Sequence, residues 1–192
     1  MPLDIVILGP PGAGKGTQAA RISEELGIPH IATGDLIRDE IAAGTPFGKQ
    51  VQSYNEQGEL VPDDIIIERV RRRLAENDTE DGFVLDGFPR TLAQAEALDA
   101  TLEGLGRSIG VVLHFQLPED LAEQRLLGRA LDSGREDDTP DMIHRRMATM
   151  RVPDELVMYY RNQGHLVGIH ADRSIDEVFD EVQDVLEAAA AS

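Results

Sequence analysis

The residues best suited to chemistry in this chain are a lysine and a threonine at the end of a glycine-rich turn. Residues 9–17 read GPPGAGKGT and follow the apolar run DIVILG at 4–9, so a strand, a turn and a helix are expected in succession. In such a turn the backbone N–H groups point toward one centre, and the helix N-terminus adds positive dipole. Lys15 would reach the β- and γ-phosphates of a nucleoside triphosphate, and Thr17 would lie near its metal ion. The segment therefore predicts a phosphate-binding loop, although Gly16 stands where Ser or Thr usually follows the lysine.

A second candidate segment, LDGFPRTLAQAE at residues 85–96, combines an acid, an arginine and an amide. Asp86 ends the apolar run FVLD, so its carboxylate is expected at the carboxyl end of a strand beside the loop, where it can order the water ligands of magnesium. Gly87 would let an acceptor approach the backbone, and Arg90 would grip its phosphate through paired hydrogen bonds. Gln94 lies one helical turn further on and offers both a donor and an acceptor to a base edge. Without the preceding DGFPR, it would be interpreted as an ordinary solvent-facing helix residue.

Arginines cluster around a third segment, RALDSGREDDTPD at residues 129–141, whose polar composition predicts an exposed loop. Arg125 and Arg129 are four residues apart on one helix face, Arg135 lies within the segment, and Arg146 lies on the helix expected after it. Like charges at this spacing weaken an isolated helix slightly. Their clustering in an acidic chain therefore indicates that they face phosphates.

These segments need a scaffold that brings strand ends together, and the apolar pattern predicts one. Candidate strands lie at residues 4–9, 29–31, 83–86, 110–117 and 166–171. Several are continuous apolar runs, as expected of strands buried on both faces of a parallel sheet, and helix-period stretches lie between them. The alternation predicts an α/β protein that binds its ligand at the carboxyl ends of the strands. Three helical stretches within residues 34–76 predict an inserted helical lobe.

Composition excludes several classes of protein. The chain of 192 residues has 36 acidic and 18 basic side chains, a formal net charge of -18, which disfavours nucleic acid and anionic membranes as partners. It has no cysteine, which excludes disulfides, thiolate catalysis and a cysteine-based zinc site. Only Lys15 and Lys49 are lysines, a bias that either a GC-rich genome or adaptation to salt would explain. A cytoplasmic protein is the expectation.

Two of these segments, together with a further one at residues 32–38, resemble the motifs of a known family. GPPGAGKGT, ATGDLIR at 32–38 and LDGFPRTLAQAE are similar to adenylate kinase signatures and occur in that family's order over nearly the whole chain. The resemblance implies a P-loop NTPase three-layer sandwich with a five-stranded parallel sheet of order 2-3-1-4-5. It also implies a single kinase domain over residues 1–192, a nucleoside monophosphate (NMP)-binding lobe at 32–61 and a short lid at 129–141. The implied reaction is ATP + AMP = 2 ADP, catalysed by a monomer.

The same resemblance implies which residues form the site. The ATP site would comprise Gly12, Ala13, Gly14, Lys15, Gly16, Thr17, Arg125, Arg129 and Arg173. The AMP site would comprise Thr33, Arg38, Glu59, Leu60, Val61, Gly87, Phe88, Pro89, Arg90, Gln94, Arg135 and Arg146. Catalysis would depend on Lys15, Arg90, Arg129, Arg135 and Arg146. Mg²⁺, brought with ATP, would be held through water by Thr17 and Asp86, and no structural zinc is expected.

Two stretches depart from the family pattern. The lid segment is a few residues longer than the shortest lids, and MRVPDELVMYY at 150–160 is one residue short of the usual segment. Both belong to the lid and its return helices, so we expect an altered kcat rather than lost activity.

Three other functions stay open at this point. A UMP or CMP kinase would carry a different residue at position 33 and asparagines after the arginine, whereas this chain has Thr33 and Gln94. A small-metabolite kinase of the shikimate type would have Ser or Thr directly after Lys15. A nucleotide sensor without transfer activity is disfavoured because Lys15, Asp86 and the arginines are all present.

Overall fold

Five short apolar segments form one parallel sheet in the computed structural model, which describes residues 2–133 and 139–190. The strands are β1 (Leu3–Leu8), β2 (His30–Ala32), β3 (Gly82–Asp86), β4 (Val111–Gln116) and β5 (Leu166–His170). They pair in the order β2-β3-β1-β4-β5, and every pairing is parallel. The sheet and its order are therefore confirmed, and each predicted strand is correct to within one residue at either end.

Helices connect the strands. In the described part of the chain they are α1 (Lys15–Leu26), α2 (Thr33–Ala42), α3 (Pro46–Gln57), α4 (Asp63–Leu74), α5 (Leu92–Gly104), α6 (Glu119–Ser133), α7 (Pro140–Thr149), α8 (Asp154–Gln163) and α9 (Ile175–Ala190). A 3-10 turn at Asn77–Thr79 precedes β3. Glycines in the left-handed conformation end α1, α3 and α8, a common way to terminate a helix. None of these helices is long and apolar enough to cross a membrane.

The side chains of β1 alternate between two apolar layers, so the sheet is covered on both faces. Val6 and Leu8 pack with α4, α5 and α8, whereas Ile5 and Ile7 pack with α1 and α9. All four are at most 3% exposed, which explains why the strand has an unbroken apolar sequence. The result is the expected three-layer sandwich, with the carboxyl ends of the strands along one edge.

Helices α2 and α3 belong to the expected helical lobe and meet at a glycine. A Cβ built at Gly48 would lie 2.1 Å from the carbonyl oxygen of Glu40, so the two backbones are in contact there. Thr45 caps α3 by accepting a hydrogen bond from the Gly48 N–H at 2.9 Å, and it donates one to Glu40 Oε2 at 2.6 Å. Arg69 of α4 donates to the other oxygen of Glu40 at 2.7 Å. These contacts tie the lobe to α4, and the bounds 32–61 stay a prediction.

The segment expected to be an exposed loop, residues 129–141, is helical at both ends. Helix α6 continues to Ser133, and α7 begins at Pro140 after the N-cap Thr139. Proline is favoured in the first turn of a helix because a backbone N–H at that position has no partner within the helix, so its absence costs no hydrogen bond. The TPD sequence that suggested a loop therefore begins a helix, and the prediction of a loop is wrong for residues 129–133 and 140–141. Residues 134–138 lie outside the described residues.

A buried ion pair lies near the amino-terminal edge of the sheet. Asp4 of β1 is fully buried and pairs with Arg107, whose Nη1 also donates to the carbonyl oxygen of Thr79 at 2.6 Å. Burial raises the pKa of Asp4 above its ordinary value, although the hydrogen bond and the charge of Arg107 oppose the shift. The pair joins β1 to the segments before β3 and β4.

Candidate active site

The turn between β1 and α1 has the backbone shape that a phosphate-binding loop needs. Gly12 and Gly14 have φ angles of 84° and 79°, in a region that favours glycine. A Cβ at Gly12 would also lie 2.6 Å from the carbonyl oxygen of Ala122 in α6, so only glycine lets the loop pass so close to that helix. Because α1 begins at Lys15, its free N–H groups adjoin the loop.

A cleft of about 640 Å³ opens beside this loop, at the carboxyl ends of β2 and β3. Most of the residues that the sequence predicts for the site line it: Gly12, Gly14, Lys15, Gly16, Thr17, Thr33, Arg38, Glu59, Leu60, Val61, Asp86, Gly87, Arg90, Gln94, Arg125, Arg129 and Arg146. The six basic residues in the lining are Lys15, Arg38, Arg90, Arg125, Arg129 and Arg146, and the three acidic ones are Asp35, Glu59 and Asp86. In a chain with a net charge of -18, this local excess of positive charge suits an anionic ligand.

Lys15 reaches back over the loop, where its Nζ donates to the carbonyl oxygen of Pro10 at 2.8 Å. Burial lowers the pKa of Lys15 to about 8; the Asp86 carboxylate opposes this shift, and the charges of Arg90 and Arg129 add to it. A phosphate beside these cations would favour the charged form of the lysine again.

Asp86 ends β3 and faces the first turn of α1. A Cβ built at Gly16 would lie 3.7 Å from its Oδ2, and His30 Nε2 lies 3.8 Å from the same oxygen, beyond hydrogen-bond distance. Burial raises the pKa of Asp86, but the His30 imidazole and the charge of Lys15, among others, outweigh burial and hold the pKa below its ordinary value. The carboxylate is therefore ionised at neutral pH. With the Thr17 hydroxyl it offers the hard oxygen donors that suit Mg²⁺.

Arg90 is held by its own turn. Its Nε donates to the carbonyl oxygen of Gly87 at 2.7 Å. Burial lowers the pKa of Arg90; the Asp86 carboxylate opposes this shift, and the charge of Arg146 adds to it. Arg90 and Arg146 are thus close enough to repel each other, and an anion between them would relieve that repulsion.

Gln94 is 2% exposed, and both ends of its amide are hydrogen-bonded. Its Oε1 accepts from the backbone N–H of Arg90 at 2.7 Å, and its Nε2 donates to Asp63 Oδ1 at 2.7 Å. Asp63 was not predicted from the sequence, because nothing in the pattern around it indicates a partner in another helix. The sequence carried a related signal: Thr91 and Gln94 have the spacing of a capping box, in which the glutamine accepts from the backbone N–H of the N-cap residue. In the structure Gln94 accepts instead from Arg90, one residue before the N-cap Thr91.

The lobe contributes Thr33 and Arg38 to the cleft. Thr33 begins α2, and its Oγ1 donates to the carbonyl oxygen of Asp86 at 3.3 Å, which joins the lobe to the end of β3. Arg38 lies five residues further along the same helix and forms an ion pair with Asp35. His30 and Asp35 also line the cleft, and neither was predicted from the sequence as a site residue.

A few of the predicted residues lie away from the cleft. Ala13 and Phe88 are 3% and 2% exposed and pack in the two apolar layers. Pro89 lines a smaller neighbouring cavity of about 130 Å³. Arg135 lies outside the described residues, so its predicted position is untested.

Arg173 is connected to the cleft through its backbone only. Its side chain forms an ion pair with Glu181 of α9 and does not line the cleft. Arg125 Nη1 donates to the carbonyl oxygen of Ala171 at 2.7 Å, and its Nη2 donates to that of Arg173 at 3.3 Å. Arg125 therefore lines the cleft and ties α6 to the turn after β5.

Comparison with known proteins agrees with this geometry. Residues 7–165 match the family profile described as adenylate kinase. The chain is 46% identical to an adenylate kinase of Xylella fastidiosa over 175 residues, which covers 91% of this chain and 94% of the relative. It is 47% identical to that of Kocuria rhizophila over 187 residues (95% and 98%) and 38% identical to that of Oceanobacillus iheyensis over 213 residues (96% and 99%). The chain belongs to the adenylate kinase family.

Proposed function

We propose that this chain catalyses the reversible transfer of a phosphoryl group from ATP to AMP, which yields two ADP. The observation that carries the proposal is the composition of the cleft, which joins a glycine-rich loop with Lys15, a set of arginines and the buried amide of Gln94. A donor triphosphate and an acceptor monophosphate that meet end to end need this succession of a phosphate loop, cations and a base-binding group. The names of the relatives support the same reaction.

Four cations of the cleft, Lys15, Arg90, Arg129 and Arg146, would stabilise the charge of the phosphoryl group as it moves. Its transition state is loose, so catalysis depends on alignment and charge compensation rather than on a general base. The phosphate of AMP is already ionised at neutral pH. The mutual influence of these charges on the pKa of Lys15 and of Arg90 supports their convergence. Arg135 is proposed to act with them.

The triphosphate of ATP would lie in the loop of residues 12–17, and its adenine would lie near the turn after β5. The bonds from Arg125 to the carbonyl oxygens of that turn support this placement, with Arg173 contributing its backbone. Thr17 and Asp86 would hold Mg²⁺ through water, which neutralises part of the phosphate charge. The absence of a structural zinc stays a prediction.

The acceptor AMP would lie between the lobe and α5. Its phosphate would contact Arg38 and Arg90, and its adenine would contact Thr33, Gln94 and the backbone of residues 59–61. The turn that contains Gly87, Phe88 and Pro89 would shape the floor below the phosphate. The short bonds that hold Arg90 and Gln94 support this assignment, since groups fixed before binding lose little entropy when they bind.

The experiment that tests the proposal measures ADP formation from ATP and Mg²⁺ with AMP, UMP, CMP or GMP as the acceptor, at low and at molar salt. We expect a rate with AMP that far exceeds the others. Turnover with UMP or CMP instead would mean that the acceptor is a pyrimidine nucleotide, and it would overturn the proposed adenine contacts of Thr33 and Gln94. No turnover with any acceptor would leave a nucleotide-binding protein without transfer activity.

We also propose that the protein is a cytoplasmic monomer that binds neither nucleic acid nor membranes. The nucleotides it would use are cytoplasmic metabolites, and its net charge of -18 repels anionic polymers and surfaces. The large apolar side chains exposed in the described ranges lie at separate positions: Leu26, Leu105, Leu127, Met158 and Ile175. Light scattering coupled to size-exclusion chromatography would measure the oligomeric state.

A further inference from the structure

The contacts of the Gln94 amide point to a residue that decides which purine the acceptor site takes. We propose that Asp63 is a specificity-determining positioning residue. It holds the amide of Gln94 in one of its two orientations and thereby favours adenine over a 6-oxopurine such as hypoxanthine or guanine. The inference rests on the proposed function, since it concerns the base of the acceptor nucleotide.

The two partners of Gln94 allow a single orientation of its amide. The Arg90 N–H can only donate, and it lies 2.7 Å from Gln94 Oε1. The Asp63 carboxylate, when ionised, can only accept, and it lies 2.7 Å from Gln94 Nε2. Rotating the amide by half a turn would set a donor against a donor and an acceptor against an acceptor. Because Gln94 is only 2% exposed, water has little access to replace the lost bonds.

Asp63 is itself held in place. It is the first residue of α4, and its Oδ2 accepts a hydrogen bond from Thr91 Oγ1 at 2.9 Å. Thr91 is the N-cap of α5 and also accepts from the backbone N–H of Gln94 at 3.2 Å. The carboxylate thus bridges two helices and has both oxygens engaged, so the amide orientation is set by the fold before a base arrives.

The orientation matters because purines differ in the edge they present. Adenine has an acceptor at ring nitrogen N1 and a donor in its 6-amino group, whereas hypoxanthine and guanine have a donor at N1 and an acceptor in the 6-oxo group. An amide that is free to rotate can match either edge. After its two internal bonds, Gln94 keeps one N–H and one lone pair for the cleft it lines, each at a fixed place. The edge that does not match would leave buried polar groups unpaired, which is a strong basis for rejection.

The experiment compares kcat/KM for AMP and for inosine monophosphate (IMP) at saturating MgATP in three variants. Asp63→Ala removes the acceptor, and we expect the ratio of the AMP value to the IMP value to fall about tenfold, since a hydrogen bond to a charged group is lost. Asp63→Asn can still present an oxygen to Gln94 and should keep the ratio near that of the unmodified protein. Asp64→Ala is the matched control, because Asp64 is exposed and lies in the same first turn of α4.

Two results would overturn the inference. One is an equal fall for AMP and IMP in Asp63→Ala, which would mean that Asp63 only supports the fold. The other is a ratio in Asp63→Asn as low as that in Asp63→Ala, which would mean that charge rather than acceptor position matters. Both kcat/KM values are measured on the same variant, so partial unfolding lowers both by the same factor and leaves their ratio unchanged. If the unmodified protein does not use AMP, the proposed function fails instead.

Discussion

At the scale of single residues, the cations of the cleft lower one another's pKa values, and a bound anion would oppose this effect. Lys15, with its pKa lowered to about 8, is the clearest case. We expect ATP binding at about pH 9 to take up a proton at this lysine, because the phosphates favour the charged form. Because the ATP-bound state holds the proton more tightly than the free state, ATP affinity falls as the pH rises above about 8. Calorimetric titrations in buffers of different ionisation enthalpy measure the uptake.

The control for this prediction is Lys15→Met, which has no proton to gain at that position. It should bind ATP more weakly and without the uptake near that pH. An undiminished uptake in the variant would assign the proton to another group.

Arg90 allows a second test at the same scale. We expect Arg90→Ala to lower kcat/KM for AMP by at least about tenfold, because the phosphate loses a bidentate partner whose position its own turn maintains. The KM for ATP should change little. Arg71→Ala on the exposed face of α4 is the control, since Arg71 pairs only with nearby Glu68 among the ion pairs described. A smaller loss would mean that Arg90 does not hold the acceptor phosphate.

At the scale of elements, the contact between α2 and α3 depends on the absence of a side chain. We expect Gly48→Ala to destabilise the protein by about 1–3 kcal/mol, because the new methyl group would meet the backbone of Glu40 and push the helices apart. The KM for AMP should rise as well, since α2 carries Thr33 and Arg38. Urea unfolding and steady-state kinetics measure the two effects.

Gly128→Ala is the matched control for this change. Gly128 is exposed within α6, and a Cβ there would meet nothing within 4 Å. Alanine should therefore stabilise the helix by about 0.5–1 kcal/mol through its higher propensity. Similar destabilisation by both substitutions would show that the close contact at Gly48 is not the cause.

What the sequence could predict at this scale depended on whether the determinants were local. The strands were predictable because each is a short apolar run buried on both faces, as in β1. The phosphate-binding loop was predictable because its glycines and Lys15 lie within a few residues of one another. Contacts between distant segments were not predictable: Asp63 meets Gln94 only after α4 and α5 pack together. Pro140 suggested a loop because a proline ends one element and begins another with equal ease.

At the scale of the whole molecule, the ion pair of Asp4 and Arg107 lies at the edge of the sheet away from the cleft. We expect Arg107→Met to destabilise the protein by about 3–5 kcal/mol at neutral pH, because the buried carboxylate loses its partner. The folded-state pKa of Asp4 is raised, so a proton on Asp4 favours folding, and that contribution is lost as the pH rises through the folded pKa. Because Arg107 lowers that pKa, its removal should raise the pKa of Asp4 further, so the loss in the variant should shrink as the pH falls and Asp4 becomes protonated. Urea unfolding at neutral and at mildly acidic pH measures it.

Asp4→Asn in the Arg107→Met background removes the unpaired charge and should recover part of the lost stability. A double variant no more stable than Arg107→Met would show that packing around the guanidinium, rather than the charge, is responsible.

The uneven distribution of charge also governs how quickly substrates arrive. A distant nucleotide meets the field of a net charge of -18, whereas a nucleotide that has entered the cleft meets six basic and three acidic residues in its lining. The screening length shrinks from about 30 Å at 0.01 M salt to about 8 Å at 0.15 M, so added salt removes the distant repulsion before it weakens the attraction within the cleft. The association rate constant should therefore rise with ionic strength before it declines, whereas for a uniformly basic protein it only declines. In a cell with a high internal salt concentration, the acidic surface would no longer slow the encounter, and the charges of the cleft alone would set the rate at which nucleotides associate.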